Sequence, residues 1–328
     1  MTDAATIAAD PRWLPHTLDL AGRRMLFVRI GPAVLTASGF LADVKPEEAE
    51  GARWITLEEV RAMQAEPGAL HFIFHTAFCR STLLARAMNV PGVSVGMAEP
   101  GILTQLAGAG QAARDLVGPV CDLLARPWGQ NEAVFVKPTN HANMLLPVLL
   151  SARPDATAIL MTNPLPTFLR SVDRRAIMGR RWGRQLYLEV MGYAGMDFGM
   201  DAREQFSMTD LQAAGLAWFL SQRMYTQMLA GPDGERLRTL NGDRFAVDKA
   251  NTVEAVLGLA ELDYDPVEVK AIVDGPLLRS HAKLGRAFIG DAPQGSASLD
   301  QEIEQVGQWI GMIAQQAGIT VPMRQTLF

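Results

Sequence analysis

The chain has 328 residues, 48% of them hydrophobic and 20% charged, with a formal net charge of −5. That length suits one large core with additions, or two domains, and the composition gives it ample apolar material to bury. The mild negative charge gives no basic coat for nucleic acid or an anionic membrane, and two cysteines, Cys79 and Cys121, exclude a disulfide framework.

The N-terminal stretch carries Asp3, Asp10 and Pro11 and lacks a continuous apolar run, so no signal peptide is expected. The apolar run 144–150 holds Pro147 and is too short to cross a bilayer. The expectation is a cytoplasmic protein with neither a nucleic-acid nor a membrane partner; oligomeric state is not legible.

Residues 1–66 read as a β-containing extension. The runs 25–30 and 33–38 are β-like on either side of Gly31-Pro32, as in a turn or hairpin. A short helix is predicted over 56–64, with Thr56 as N-cap and Glu59 three residues on, a capping-box pattern. A core over 67–250 follows. Short apolar runs at 69–75, 93–95, 132–136, 157–161 and 236–240 predict five strands. Helical patterns fall at 81–89, 101–126, 141–152, 164–197 and 209–230. Residues 251–328 read as a helical part packed on that core, with helices at 252–259, 266–273 and 300–316 and a loop over 279–298. Strands alternating with helices predict an α/β fold, with a central, mostly parallel five-stranded sheet flanked by helices. Ligands in such sheets sit at the carboxyl ends of the strands.

The first such end is His75-Thr76-Ala77-Phe78-Cys79-Arg80-Ser81-Thr82, between a strand and a helix. Unpaired amides at such a junction favour an oxyanion; Ser81 and Thr82 add hydroxyls and Arg80 a charge. The stretch is a degenerate match to the phosphate-loop pattern G-x-x-x-x-G-K-[ST], with Phe74 and Cys79 at the glycine positions and Arg80 at the lysine position. An ordinary junction with Ser81 as N-cap is the other reading.

Glu99, after the second strand, is open to two readings: a proton acceptor, or an acid at a helix start. Lys137, at the third strand's end, can reach an anion. His141 is either a proton shuttle or decoration at a helix entry. Asn163 and Pro164 suit an N-cap and first helical position. Then come six arginines in fifteen residues: Arg170, Arg174, Arg175, Arg180, Arg181 and Arg184. On an unbroken helix Arg170, Arg174 and Arg181 share a face. They form either an oxyanion-binding face or a solvated one paired with Asp173 and Glu189. Trp218 and Tyr225 read as core. The His and Cys positions lack metal-ligand spacing, and no metal is expected.

The stretch 74–88, FHTAFCRSTLLARAM, resembles the 5′-phosphosulfate loop of sulfotransferases, roughly P-[KR]-S-G-T-T-[WL]-L. Ala98-Glu99-Pro100 resembles that family's "EP" after its second strand. Residues 157–172 resemble its 3′-phosphate segment R-[DN]-P-x-D-x-x-x-S, and 238–260 the strand, loop and helix that close its core. The resemblance spans about residues 69–260, and the order of the segments carries it. It implies a P-loop nucleotide-binding fold and PAPS as donor. His75, Thr76, Ala77, Phe78, Cys79, Arg80, Ser81 and Thr82 would hold the donor's 5′ end, with Arg170 and Ser171 at the 3′-phosphate. Glu99 would be the base that activates an acceptor, with Lys137 and His141 as further catalytic candidates. A basic stretch at 279–286 resembles the family's late loop. The chain departs from the pattern at Phe78, where the family has lysine or arginine; at Arg80, where it has glycine; and at Thr162, where it has arginine. Arg170 falls at the serine position, with Ser171 one place off. The leading expectation is sulfuryl transfer from PAPS to a hydroxyl or amine of an unidentified acceptor. The alternatives are a P-loop small-molecule kinase, or a non-catalytic nucleotide- or anion-binding protein that keeps the fold.

Overall fold

Two kinds of strand build two sheets in this computed structural model, which describes residues 3–37, 39–279 and 296–328. The first sheet is antiparallel, in the order β1-β2-β3, from β1 (Trp13–Asp19), β2 (Arg24–Arg29) and β3 (Gly51–Thr56). The second has the order β5-β6-β4-β7-β8, from β4 (Leu70–His75), β5 (Ser94–Ala98), β6 (Ala133–Lys137), β7 (Ala158–Thr162) and β8 (Leu237–Asn241). β4, β6 and β7 are buried at every residue, as strands covered on both faces must be. This is the α/β fold with a five-stranded parallel sheet that the alternating pattern predicts, with a small antiparallel sheet before it.

The described residues divide into two compact units. One takes 3–75, 80–159 and 245–279; the other takes 76–79, 160–244 and 296–328.

In the first unit, β5 and β4 pair in parallel with β6. Gly96 lets the helix Ser81–Ala87 come close to β5, since a Cβ there would lie 1.7 Å from the carbonyl oxygen of Ala85. The hairpin expected across Gly31-Pro32 is not formed. Residues Pro32–Thr36 are helical, with proline at the helix start where its missing N–H costs nothing. β2 pairs instead with β1 and β3, whose mixed, half-exposed sequences gave no clean alternation. The capping box is present: Glu59 N donates to Thr56 Oγ1 at 3.2 Å, and Thr56 N to Glu59 Oε2 at 3.1 Å.

Arg126, 3% exposed, fastens the N-terminal segment to this unit. It donates to the carbonyls of Ile7, of Asp10 (2.9 Å), of Trp13 (2.5 Å) and of Leu123 (2.7 Å). Burial pulls its pKa down to about 10, and the Asp10 charge opposes that fall.

His71, on β4, lies beside Phe135 on β6, with ring centroids 5.0 Å apart. Its Nδ1 lies 2.9 Å from Thr157 Oγ1 and 3.3 Å from the Thr157 amide nitrogen, while Nε2 is buried without a hydrogen-bond partner.

In the second unit, the apolar faces of Leu165–Asp173, Ala176–Ala194, Asp210–Ala230 and Ala297–Gln316 share one core. Ile303, Val306, Ile310 and Ala314 of the last helix follow the helical period. Trp218 and Tyr225 are buried, as expected. The single helix expected over 164–197 is broken between Asp173 and Ala176, where Ala176 has φ +49°. Arg170, Arg174 and Arg181 therefore do not share one continuous helical face.

Two outcomes follow for the first unit. Burial lowers the His71 pKa from 6.5 to about 4, so between those values the unfolded chain binds a proton that the fold refuses. Stability is whole above pH 6.5 and falls by about 3 kcal/mol as pH drops toward 4. Denaturant melts at stepped pH are expected to show this slope in the native chain and to lose it in His71→Phe. Arg126→Met leaves buried carbonyls unpaired at about 1–3 kcal/mol each. Loss of amide-exchange protection is expected at Ile7 to Trp13 first.

Candidate functional site

In the first unit, three neighbouring parallel strands end together at Ala98, Lys137 and His75. Glu99 turns out of β5 with φ +54°, a conformation that a side chain with a Cβ adopts only under constraint. Three bonds supply that constraint. Its amide donates to the Lys137 carbonyl at 2.7 Å, its carbonyl accepts from Ala42 N at 3.0 Å, and its Oε1 accepts from Lys137 Nζ at 2.5 Å. The Lys137 side chain is 0% exposed and that of Glu99 18%. The ammonium also lies 3.5 Å from the Pro138 carbonyl and 5.6 Å from the Phe40 ring centre. The helix Gly101–Ala109 begins on Pro100 with no side-chain cap, so the Glu99 carboxylate serves the lysine and not the helix start.

His75 Nε2 donates to the Pro138 carbonyl at 3.1 Å, and its own carbonyl accepts from Asn143 at 3.0 Å. His141 is half-buried on the 3-10 turn Asn140–Leu145. The helix Ser81–Ala87 takes Arg80, not Ser81, as its N-cap. Arg80 is left-handed (φ +64°, ψ +17°) and its carbonyl accepts from Leu83 and Leu84. Ser81 and Thr82 are buried, 5% exposed each, while Arg80 is half-buried.

The second unit contains residues 76–79. Thr76 Oγ1 donates to Thr162 Oγ1 at 3.3 Å; Gln222 Nε2 donates to the same oxygen at 2.5 Å; and Gln222 Oε1 accepts from Met323 N at 3.2 Å. Thr162 is thus part of a buried polar network. Ala77 and Phe78 have positive φ, +70° and +55°. Asn163, expected as an N-cap, donates its side-chain amide to the Phe78 carbonyl at 2.7 Å; Pro164 is the N-cap. The displacement has a reason: the carbonyl of a residue in that turned conformation needs a donor, and Asn163 is the next residue past β7. The Phe78 ring packs near Trp182 (4.9 Å) and Phe168 (6.0 Å), and the Arg175 guanidinium lies 4.0 Å from its centre. The Cys79 side chain is fully buried.

Arg170 pairs with Asp300 at 2.6 Å, with both side chains about half exposed, a geometry of small energetic weight. The Ser171 hydroxyl donates to the Thr167 carbonyl at 2.9 Å. The first unit therefore brings Glu99 and Lys137 together, while Arg170 and Ser171 have contacts of their own. Asn143, Phe40 and Asn163 were not marked as site residues by sequence, whereas Arg175 was read as one of the arginine run. The register that sets Ala98 opposite Lys137 was the available signal for the acid–lysine pair. The basic stretch at 279–286 lies, past Arg279, outside the described residues. Among the described residues no group of three or more His, Cys, Asp and Glu could hold a metal, and no helix is long and apolar enough to cross a membrane.

No protein-family model matches the chain, and no curated protein sequence matches it. Among solved structures it is similar to the sulfotransferase domain from the curacin biosynthetic pathway, at 13% identity and a TM-score of 0.45, covering 79% of this chain and 100% of that one.

Gly242 follows β8 where a Cβ would lie 2.3 Å from the Cys79 carbonyl oxygen and 2.6 Å from Asn163 Oδ1. Gly242→Ala is expected to cost about 1–3 kcal/mol by pushing the 76–79 segment. Gly258→Ala, on an exposed helical position with open space, is expected to gain about 0.5–1 kcal/mol. Urea denaturation of both variants measures the contrast.

Proposed function

We propose that this chain is a sulfotransferase-like transferase that moves a sulfuryl group from PAPS to a hydroxyl or amine acceptor. The observation that most supports this reading is the Glu99–Lys137 pair at the carboxyl edge of β5 and β6. It fixes a carboxylate, partly open to solvent, at the edge where α/β sheets take their ligands. In the reaction the acceptor oxygen or nitrogen bonds to sulfur, the bond from sulfur to the phosphate oxygen breaks, and Glu99 receives the acceptor's proton. Lys137, wholly enclosed, acts by holding Glu99 in place.

The residues present fit the donor's 5′ end in kind: Arg80 offers a cation, and Ser81 and Thr82 offer hydroxyls at a strand-to-helix turn. They fit its 3′-phosphate less well, because Thr162 is engaged with Gln222 and Arg170 with Asp300. PAPS supplies the activated sulfuryl group when bound. The chain's own part is to bind, orient and take one proton.

A thermal-shift panel tests the donor. Adenosine 3′,5′-bisphosphate is expected to raise the melting point, by about 2.7 kcal/mol of stabilisation at a hundredfold excess over Kd. A response to ATP with none to adenosine 3′,5′-bisphosphate would overturn the reading in favour of a kinase. Glu99→Gln is expected to lower sulfuryl transfer to phenol and amine acceptors about 10²–10⁴-fold per folded molecule, with nucleotide affinity nearly unchanged. Wild-type turnover in that variant would remove Glu99 as the base.

A further inference from the structure

Three arginines of the first unit are almost wholly buried: Arg86 (2% exposed), Arg126 (3%) and Arg153 (8%). Two of them have partners. Arg126 donates to the carbonyls of Ile7, Asp10, Trp13 and Leu123. Arg153 meets Asp122 at 3.2 Å and Asp155 at 3.0 Å, and donates to the Gly68 carbonyl at 2.8 Å. Arg86 differs. Its Nε, Nη1 and Nη2 are all buried, and none has a hydrogen-bond partner among the described residues. Burial pulls its pKa below the usual 12.5, and no neighbouring charge opposes the fall. A guanidinium keeps its proton in a protein, so the fold encloses a cation here without a counter-charge.

The backbone that carries this cation is fixed. Asn89 Nδ2 donates to the Arg86 carbonyl at 3.1 Å, and Asn89 Oδ1 accepts from Gly96 N on β5 at 3.2 Å. The end of the helix Ser81–Ala87 is thereby tied to the sheet. Arg86 lies four residues after Thr82, on the same helical face, and helical side chains lean toward the N-terminus. That lean directs Arg86 toward the turn after β4, at the carboxyl edge where α/β sheets take their ligands.

We propose that Arg86 is the cation of an oxyanion site in the first unit, and that its partner is a small oxyanion such as sulfate or phosphate, either free or as one group of a larger ligand. The site does not depend on PAPS as donor. A buried charge left uncompensated is among the costliest features a fold can hold. Water completes the hydrogen bonds of a guanidinium but not its charge, whereas an oxyanion completes both. Sulfate and phosphate match the planar fork through two parallel bonds, and chloride does not. Enclosure also leaves the attraction less screened than at the surface.

Unfolding midpoints at constant ionic strength, with chloride exchanged for sulfate or phosphate, test the site. Arg86→Met keeps the length of the side chain and drops the charge. Without sulfate its midpoint is expected at or above the native one, because an uncompensated charge has been removed. Sulfate stabilises proteins generally by exclusion from their surface, so the shift in Arg86→Met is the baseline and the native chain is expected to exceed it. By calorimetric titration Arg86→Met should bind sulfate about 10- to 100-fold more weakly than the native chain, the range of a hydrogen bond to a charged group. Arg86→Lys, with the charge and without the fork, should fall between. Competition identifies the source of the anion. If adenosine 3′,5′-bisphosphate displaces sulfate, the anion is a group of the nucleotide; if the two bind together, it is a free ion. A lowered midpoint in ligand-free Arg86→Met, or its failure to fold, shows a partner within the fold and overturns the proposal, as do equal sulfate shifts in the two chains. Sulfate binding at Arg86 with no response to the bisphosphate would remove the donor reading and leave this site standing.

Discussion

An ammonium taken fully out of water must have a counter-charge, and the first unit is arranged around that requirement. Lys137 ends β6 with no exposed side-chain surface, and Glu99 answers it from the end of β5. Removing one member of such a buried pair costs about 3–5 kcal/mol, because the other is left uncompensated. That stake accounts for the unusual backbone at Glu99. A positive φ costs about 1 kcal/mol or more, less than leaving the buried ammonium uncompensated, and two backbone bonds share the load. The cation orders the acid, and the acid turns the chain from β5 into the following helix. A carboxylate fixed in this way has its position set before anything binds.

The second unit solves a different problem. Segment 76–79 must turn sharply without any glycine, so Ala77 and Phe78 take the left-handed region. Side chains from elsewhere in the unit hold that turn: Thr76 is tied to Thr162 and Gln222, and the Phe78 carbonyl to Asn163. Gly242 supplies close clearance beside Cys79. Glycine has been moved out of the segment and onto the strand end facing it. That exchange explains how the pattern of a glycine-rich phosphate loop can be absent from 75–82 while the chain still makes a tight turn there.

Much of the architecture was legible because each strand of the large sheet is a short apolar run between helical patterns. The start of the helix Leu57–Ala62 was legible because Thr56 and Glu59 satisfy each other locally. What escaped depends on partners far apart in sequence. β1 and β3 are half-exposed strands defined by pairing with β2 rather than by their own alternation. The helix break at Arg174-Arg175 carries neither glycine nor proline, so nothing local marks it, although Ala176 takes a positive φ there. The same blindness affected the site. Glu99 and Lys137 were each visible as charged residues after strands, but their pairing needs the parallel register of β5 and β6.

Phe78, Thr162 and Asn163 belong to one arrangement. Phe78 carries no charge; its ring packs near Trp182 and Phe168, and the Arg175 guanidinium lies over it. That arrangement needs a rigid ring, hence Trp182, Phe168 and the Asn163 bond. It also needs a helix broken after Arg175, hence the strain at Ala176. With Asn163 committed to Phe78 and Thr162 committed to Gln222, the strand end after β7 has become part of the support for segment 76–79. The end of β7 thus serves as scaffold for a turn made without glycine: Asn163 holds the Phe78 carbonyl, and the Thr162 hydroxyl anchors Thr76.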